Sequence, residues 1–439
     1  MEVRPAPVPQ AKQAGEVRAR WAWTEPSVWT ERMLTALEGG VKGGYWFSLI
    51  DKVYARRNLQ AAYAQVKANR GAAGVDRVTI EMFEDHLEAN LSRVSAQLAT
   101  EEYRPQAVRR KWIPKPGSKQ RRPLGIPTVR DRVVQGALRN VLEPIFERDF
   151  AEHSYGFRPE RGCKDALRRV EQLLKAGHSW VIDADIANYF DTIPHDKLRA
   201  EVARKVADSR VLELVTAMLQ QGVMEAMTYW TPTGGTPQGA VISPLLANIY
   251  LDPLDKELMG RGYEMVRYAD DFVILCRSEA EARTALGRVQ AWTAAAGLQL
   301  HPEKTRIVDV RQRGGFDFLG YHFERGYRWP RRKSEAKLKA RIRRHTQRRN
   351  GHSLQTIISN VNQTLTGWFM YFKHSHKTAF PPLDKWMRMR LRSILRQRRK
   401  RKGRARGTDN ILWPNAFFVQ QGLFTLSAAH AALRQSSRR

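Results

Sequence analysis

Apolar residues recur at helical spacing along much of this chain. From Trp46, the positions Leu49, Ile50, Val53 and Tyr54, then Leu59, Ala62, Tyr63 and Val66, make the stripe of an amphipathic helix. Gly71 and Gly74 interrupt it. Thr79 then offers an N-cap for a second helix with Phe83, Leu87, Leu91, Val94 and Leu98 on one face. The same periodicity predicts helices over 131–149, over Glu279–Ala296 and over 354–372. In the last of these, Leu354, Ile357, Ile358, Val361, Leu365, Trp368, Phe369 and Phe372 keep the i, i+3, i+4, i+7 series, so they are core positions. Residues 1–20 carry Pro5, Pro7 and Pro9 among scattered charges; they have little to bury and are expected to form a disordered tail.

A different pattern marks the strands. Trp180–Ile186 is an apolar run with acids at alternate positions, which on a strand puts Asp183 and Asp185 on one face. An unpaired carboxylate on a buried strand is costly, so either this face is wet or the acids have a task. Further on, Met265-Val266 and Phe272–Cys276 flank Tyr268-Ala269-Asp270-Asp271, a tight turn that pushes two carboxylates to its tip. Between Arg109 and Pro127 two extended pieces bracket a Pro-Gly turn crowded with cations, the pattern of a hairpin whose tip could reach phosphates or simply face water. Segments 297–305 and 316–321 read as strands joined by turns. Thr233–Ala240 is a Gly-rich loop leading into a helix with Pro244 in its first turn; it lacks the Lys-Ser/Thr ending of a P-loop.

Charge narrows the function. The 439 residues hold 75 Lys+Arg against 44 Asp+Glu, a formal net charge of +31. A balance this basic implies a polyanionic partner, nucleic acid or an acidic membrane. No run of 18 apolar residues exists, Met1–Arg20 has no apolar core, and Cys163 and Cys276 are the only cysteines. The expectation is a nucleic-acid-bound protein of the cytoplasm, without a membrane span, disulfide framework or cysteine-rich zinc module. Cations crowd again at Arg331, Arg332, Lys333, Arg343 and Arg344, and at Arg398, Arg399, Lys400 and Arg401, bracketing the 354–372 helix. That arrangement suits a helical domain gripping a polyanion.

Within such a chain, Asp185, Asp270 and Asp271 form a candidate set for two Mg²⁺ ions, one activating an attacking 3′-hydroxyl and one holding a triphosphate. Lys115 and Arg122 are candidates for phosphate oxygens. Paired carboxylates also serve glycoside hydrolysis, but that chemistry does not call for so basic a chain.

The motifs Trp112-Ile113-Pro114-Lys115, Arg122–Thr128, Tyr155-Gly156-Phe157-Arg158-Pro159, Ala184-Asp185-Ile186 with Phe190-Asp191, Gly235–Gly239, Tyr268-Ala269-Asp270-Asp271 and Phe318-Leu319-Gly320-Tyr321 occur in this order. From about Trp46 to Leu426 the chain resembles a group II intron-encoded reverse transcriptase and maturase. The resemblance implies an α+β fold: right-hand polymerase fingers and palm with antiparallel sheet over 46–325, after an N-terminal extension over 1–45, partly disordered. An α-helical thumb, the maturase X domain, with its basic C-terminal segment follows over 326–439. It implies RNA-directed DNA polymerisation with Mg²⁺, or Mn²⁺ as a substitute, bound by Asp185, Asp270, Asp271 and the Ile186 carbonyl. It places Lys115, Arg122, Gln238 and Lys304 about the nucleotide, and makes Phe190 the gate against a 2′-hydroxyl. The implied partners are group II intron RNA, an RNA template with DNA primer, target DNA, dNTPs and a second copy in a homodimer. The alternatives are a non-mobile splicing factor and a domesticated, defence-associated reverse transcriptase. Ala240 stands where relatives commonly have glycine, which leaves the loop plausible. With no cysteine pairs before Arg439, the zinc-bearing HNH endonuclease that many members carry is expected to be missing. A nascent strand at a replication fork is then one source of primer.

Overall fold

The helix Val129–Glu147 is buried nearly all round although it is rich in polar residues. Thr128 caps it by accepting from the Asp131 amide. Asp131 is fully buried, and its carboxylate accepts from the Tyr103 hydroxyl and the Gln106 amide at 2.7 and 3.0 Å. Asn140 and Asn58 join side chain to side chain at 2.9 Å. Such an interior is tolerable because each polar group finds a partner.

This helix belongs to the first of two units. In the computed structural model, which describes residues 11–114, 121–225, 228–349, 351–401 and 403–436, one unit comprises residues up to 178 with 182–307, and the other 179–181 with 308–439. Two four-stranded sheets are built mainly from residues of the first unit. One runs in the order Arg121–Ile126, Val108–Pro114, Val223–Glu225, Thr228–Trp230. Its first two strands are the hairpin foreseen at 109–127, in antiparallel register from Arg109 opposite Ile126 to Pro114 opposite Arg121. The hairpin tip, with Lys115, lies outside the described residues. The other sheet runs in the order Glu264–Tyr268, Asp271–Cys276, Trp180–Asp185, Arg306–Asp309.

Two expectations fail here. Of the expected tail, residues 1–10 lie outside the described residues, but Ala11–Arg20 is a helix, and Glu31–Gly39 is another. Trp21, Val28, Trp29, Leu34 and Leu37 are buried, with the Trp29 indole donating to the Asn140 carbonyl at 2.9 Å. The tryptophans give this segment enough to bury, which its charges disguise. Residues 297–305 form a loop instead of a strand, tied to the sheet by one isolated bridge from Leu300 to Ile186. Pro302, which has no N–H for a ladder, stops it there.

Glu143, on the central helix, is pushed up to about 7, chiefly by burial, with Arg139 pulling the other way. A carboxyl raised on folding binds more protons in the native state, so its contribution is lost as pH climbs from the unfolded value through 7. Glu143→Gln removes that penalty. The variant is expected to melt a few degrees above wild type near pH 8 and no higher than wild type near pH 5, as read by circular dichroism.

The second unit holds the antiparallel strands Phe316–Phe318, Tyr321–Glu324 and Tyr327–Pro330, then helices Arg332–His345, Leu354–Phe372 and Phe380–Arg398 and three shorter ones. Ile357, Ile358, Val361, Leu365 and Phe369 meet Leu383, Met387, Leu391 and Ile394 in one apolar cluster. Trp413 and Phe418 from the tail complete that core. Buried Asp384 accepts the Leu426 and Ser427 amides, both at 3.0 Å, and so caps the final helix.

Candidate active site

Asp270 sits at the tip of a hairpin whose strands pair from Glu264 opposite Leu275 to Tyr268 opposite Asp271, leaving Ala269 and Asp270 as a two-residue turn. Turns this short use left-handed backbone. Ala269 supplies it, at φ +60°, a conformation uncommon for a residue with a Cβ.

A buried polar frame holds the turn from behind. The Arg267 guanidinium, 1 % exposed, donates to both Asp255 oxygens at 2.9 Å, to Asn248 Oδ1 at 2.9 Å and to the Ala269 carbonyl at 3.0 Å. Burial works against the Arg267 charge, but Asp255 more than offsets it and holds the guanidinium above its ordinary value. Asn248 Nδ2 in turn donates to the Gly156 carbonyl at 2.8 Å. The Tyr155 amide donates to the Arg267 carbonyl at 2.9 Å, and the Arg267 amide to the His153 carbonyl at 3.0 Å. Backbone therefore meets backbone at Gly156, where a Cβ would stand 2.2 Å from the Ala269 nitrogen.

In front of the turn, charges converge. Burial, and next the Asp185 carboxylate, push the Asp270 carboxyl above its ordinary range, while Arg122 and Lys304 pull it down. Asp185 ends the neighbouring strand; its side chain is ion-paired to the Lys304 ammonium and its carbonyl accepts the His301 amide at 2.7 Å. Asp271 begins its own strand, and Ile186 is buried beside Leu300. Asp183, on the same face as Asp185, pairs with Arg306 at 3.3 Å.

Phe190 lies on the short helix Tyr189–Thr192, after Asn188 with its left-handed backbone. The Thr236 amide donates to the Phe190 carbonyl at 2.6 Å. Gly235 and Gly239 both have positive φ, and a Cβ on them would come within 2.8 Å of Asp191 backbone and 2.7 Å of the Gly125 carbonyl. The Gly-rich loop is thus wedged between that helix and the cationic hairpin. Gln238 spans the two, donating through Nε2 to Asp191 at 3.2 Å and accepting the Gly125 amide at 2.8 Å. Phe190, Arg110, Pro237 and Gln238 line a recess of about 240 Å³.

Among the described residues no three His, Cys, Asp or Glu side chains make a ready cation cage. Magnesium, however, is commonly held by one or two carboxylates together with substrate phosphates. Asp185 and Asp270 fit that donor set. The Lys304 ammonium is drawn to the Asp185 carboxylate, and Asp270 is pushed up chiefly by burial, with Asp185 adding to the rise.

Residues 113–323 match the reverse transcriptase (RNA-dependent DNA polymerase) family, and residues 336–412 match the group II intron maturase-specific domain. Protein YkfC of Escherichia coli (strain K12) is 33% identical over 347 residues, 70% of this chain and 86% of that protein. The chain belongs to the group II intron reverse transcriptase/maturase family. The group II intron-encoded protein LtrA of Lactococcus lactis subsp. cremoris is 40% identical over 197 residues, 44% of this chain but only 32% of LtrA. Among solved structures, a Cas6-RT-Cas1–Cas2 complex has a TM-score of 0.38 at 24% identity, over 56% of this chain and 42% of that one.

The fold of this reverse transcriptase/maturase is accordingly fingers and palm of the right-hand type, followed by a helical maturase region. In the helical unit, Arg332 and Lys333 open the helix Arg332–His345, next to the Arg331 N-cap, and Arg343 and Arg344 close it. Arg398, Arg399, Lys400 and Arg401 are exposed at the end of the helix Phe380–Arg398, with Arg398 donating to the His352 carbonyl and Arg399 lying 5.2 Å from the Trp413 ring. Not every cation of the wider basic stretch, Arg388 to Arg406, faces outward. Arg392 and Arg396 are buried, the first donating to the Trp413 carbonyl at 2.8 Å and the second pairing with Asp409 at 3.0 Å. No helix is long and apolar enough to cross a membrane among the described residues.

Motif reading missed the frame behind the turn. Asp255 lies one turn beyond the 242–251 helix read from sequence, and on the observed helix Ser243–Gly260 its burial, with Asp252, is the signal that a cation must answer it.

Proposed function

We propose that this protein extends a DNA primer on an RNA template by nucleotidyl transfer from dNTPs, and that its helical unit binds group II intron RNA to promote splicing and mobility. The observation that carries the reading is the convergence of Asp185, Asp270, Arg122 and Lys304 at the tip of one hairpin. Two Mg²⁺ ions held by Asp185, Asp270 and Asp271, with the Ile186 carbonyl, would supply the Lewis acidity for 3′-hydroxyl attack and pyrophosphate departure.

The protein's own residues position the reactants. The Arg122 guanidinium matches phosphate oxygens bidentately, and Lys115 and Lys304 add point charges. The Arg267 frame fixes Asp270, so the carboxylate needs no rearrangement as charge develops. Gln238, fixed through both Asp191 and Gly125, forms the floor on which the nucleotide rests. Phe190 crowds the sugar, so a 2′-hydroxyl is rejected by shape.

Primer extension on an RNA template tests the reading; a purified protein that makes no cDNA under any divalent metal would refute it. Phe190→Ala is expected to raise ribonucleotide incorporation by about ten- to a hundredfold relative to dNTPs, with dNTP turnover largely kept. Unchanged discrimination in kcat/KM would remove Phe190 from the gate.

A further inference from the structure

At the C-terminal end of the helix Arg332–His345, Arg343, Arg348, Arg390 and Arg404 surround a recess of about 310 Å³ with Trp386 as one wall. The Arg343 and Arg390 guanidinia lie 5.7 and 5.6 Å from the Trp386 ring. Arg390 is fixed in place: it donates from Nε to Thr346 Oγ1 at 2.6 Å and from Nη2 to the Thr346 carbonyl at 2.8 Å. Thr346, 1 % exposed, is itself anchored by its hydroxyl to the Ile342 carbonyl at 2.7 Å. Among the described residues, no carboxylate is ion-paired with any of the four arginines.

Four like charges around one recess repel one another. Burial, and then Arg343 and Arg348, lower the Arg390 affinity for its proton. Surface arginines with no assigned partner normally fan out into water, where repulsion is screened. Here one is pinned by a buried threonine and two are drawn over an aromatic face, so the geometry keeps them together at an electrostatic cost. Planar guanidinia that converge around a concave point fit a tetrahedral oxyanion.

We infer that this recess is a binding site for a backbone phosphate of RNA, one fixed anchor within the helical unit. The inference rests on the proposed RNA-binding role and gives it an address. Of the four, Arg343 is singled out from sequence, while Arg348, Arg390 and Arg404 lie within the basic stretches 328–349 and 388–406 without being singled out. Trp386 already packs against guanidinia, so the site reads phosphate geometry and no base.

The test compares full-length wild type with Arg343→Gln/Arg348→Gln, and with a charge-matched pair outside the recess on the same helix, Lys337→Gln/Arg341→Gln. Affinity for group II intron RNA is measured by filter binding across a salt series. The recess pair is expected to bind about tenfold more weakly and to reduce the salt slope by about two, with the control pair affected clearly less. Arg343→Lys/Arg348→Lys keeps the charge but loses the fork; it should keep the wild-type salt slope with intermediate affinity. Equal losses in the recess and control pairs would overturn the site in favour of diffuse attraction. Wild-type binding by the recess pair would overturn it outright, including the case in which inorganic phosphate still binds wild type at matched ionic strength, which would assign the recess to the free anion. Failure of wild type itself to bind intron RNA would refute the RNA-binding role and this site together. Circular dichroism and the melting temperature show whether each variant is folded.

Discussion

Asp270→Ala is expected to abolish primer extension on RNA, with a loss of at least about a thousandfold in kcat. The side chain feels the Asp185 carboxylate and the Arg122 and Lys304 cations, and it occupies the two-residue turn itself, a position the neighbouring Asp271, which begins the next strand, does not share. Truncation relieves repulsion, so the variant should melt no lower than wild type. Intron RNA binding and splicing should survive, because those activities need a fold and a basic surface, and no carboxylate at this turn. Equal cDNA from the two proteins would defeat the assignment of Asp270. Loss of splicing in a normally folded variant would defeat the separation of the two roles. The same electrostatics fix a pH dependence. Asp270 is raised above ordinary aspartate by burial and by Asp185, and Lys304 opposes that rise. If activity requires the ionised form, the acid limb of the kcat/KM profile falls above the ordinary aspartate range, and Lys304→Gln moves it further up. A limb that shifts downward in that variant would show that Lys304 does not face Asp270.

Much of this architecture was legible because period and chemistry agreed. The 354–372 stripe reads as a buried helix face, and the two apolar runs around Asp270-Asp271 read as a hairpin, with Asp270 at its tip and Asp271 opening the second strand. Where they disagreed, reading failed. Residues 1–20 look disordered by proline and charge, yet within the described residues Ala11–Arg20 is helical and leads into Trp21 and Trp29, which are buried. Residues 297–305 have a strand's composition, but a proline and the needs of the Asp185 carbonyl, which takes the His301 amide, make them a loop. The basic stretch 388–406 mixes two populations that charge alone cannot separate: Arg392 and Arg396 are structural, while Arg390 and Arg404 line a recess. Lys304 was the instructive case. The resemblance places it about the nucleotide, but its own sequence neighbourhood gives no sign of its partner Asp185, 119 residues away in the chain. Long-range pairs of this kind leave no periodic trace.

Gly156→Ala is expected to lower kcat by about a hundredfold while leaving KM for dNTP within a few-fold. The added methyl would stand 2.2 Å from the Ala269 nitrogen, 2.8 Å from the Tyr268 carbonyl carbon and 3.0 Å from the Ala269 Cα. All three are backbone atoms, so no side chain can swing aside. Either the 153–156 segment or the Asp270 turn must retreat. Retreat of the segment strains the Asn248 bond to the Gly156 carbonyl and the Tyr155 bond to Arg267; retreat of the turn displaces Asp270 itself. Overpacking of this kind costs about 1–3 kcal/mol or more, a fall of several degrees in Tm. Gly260→Ala is the matched control, since a Cβ there meets nothing within 4 Å, and it should be neutral or slightly stabilising. Because Gly156 touches no reactant, its variant separates positioning from chemistry: the metal dependence and pH profile should keep their wild-type form at the reduced rate. A Gly156→Ala protein with wild-type kcat and Tm would mean that the turn is not held from behind, and that its position owes nothing to the Arg267 frame.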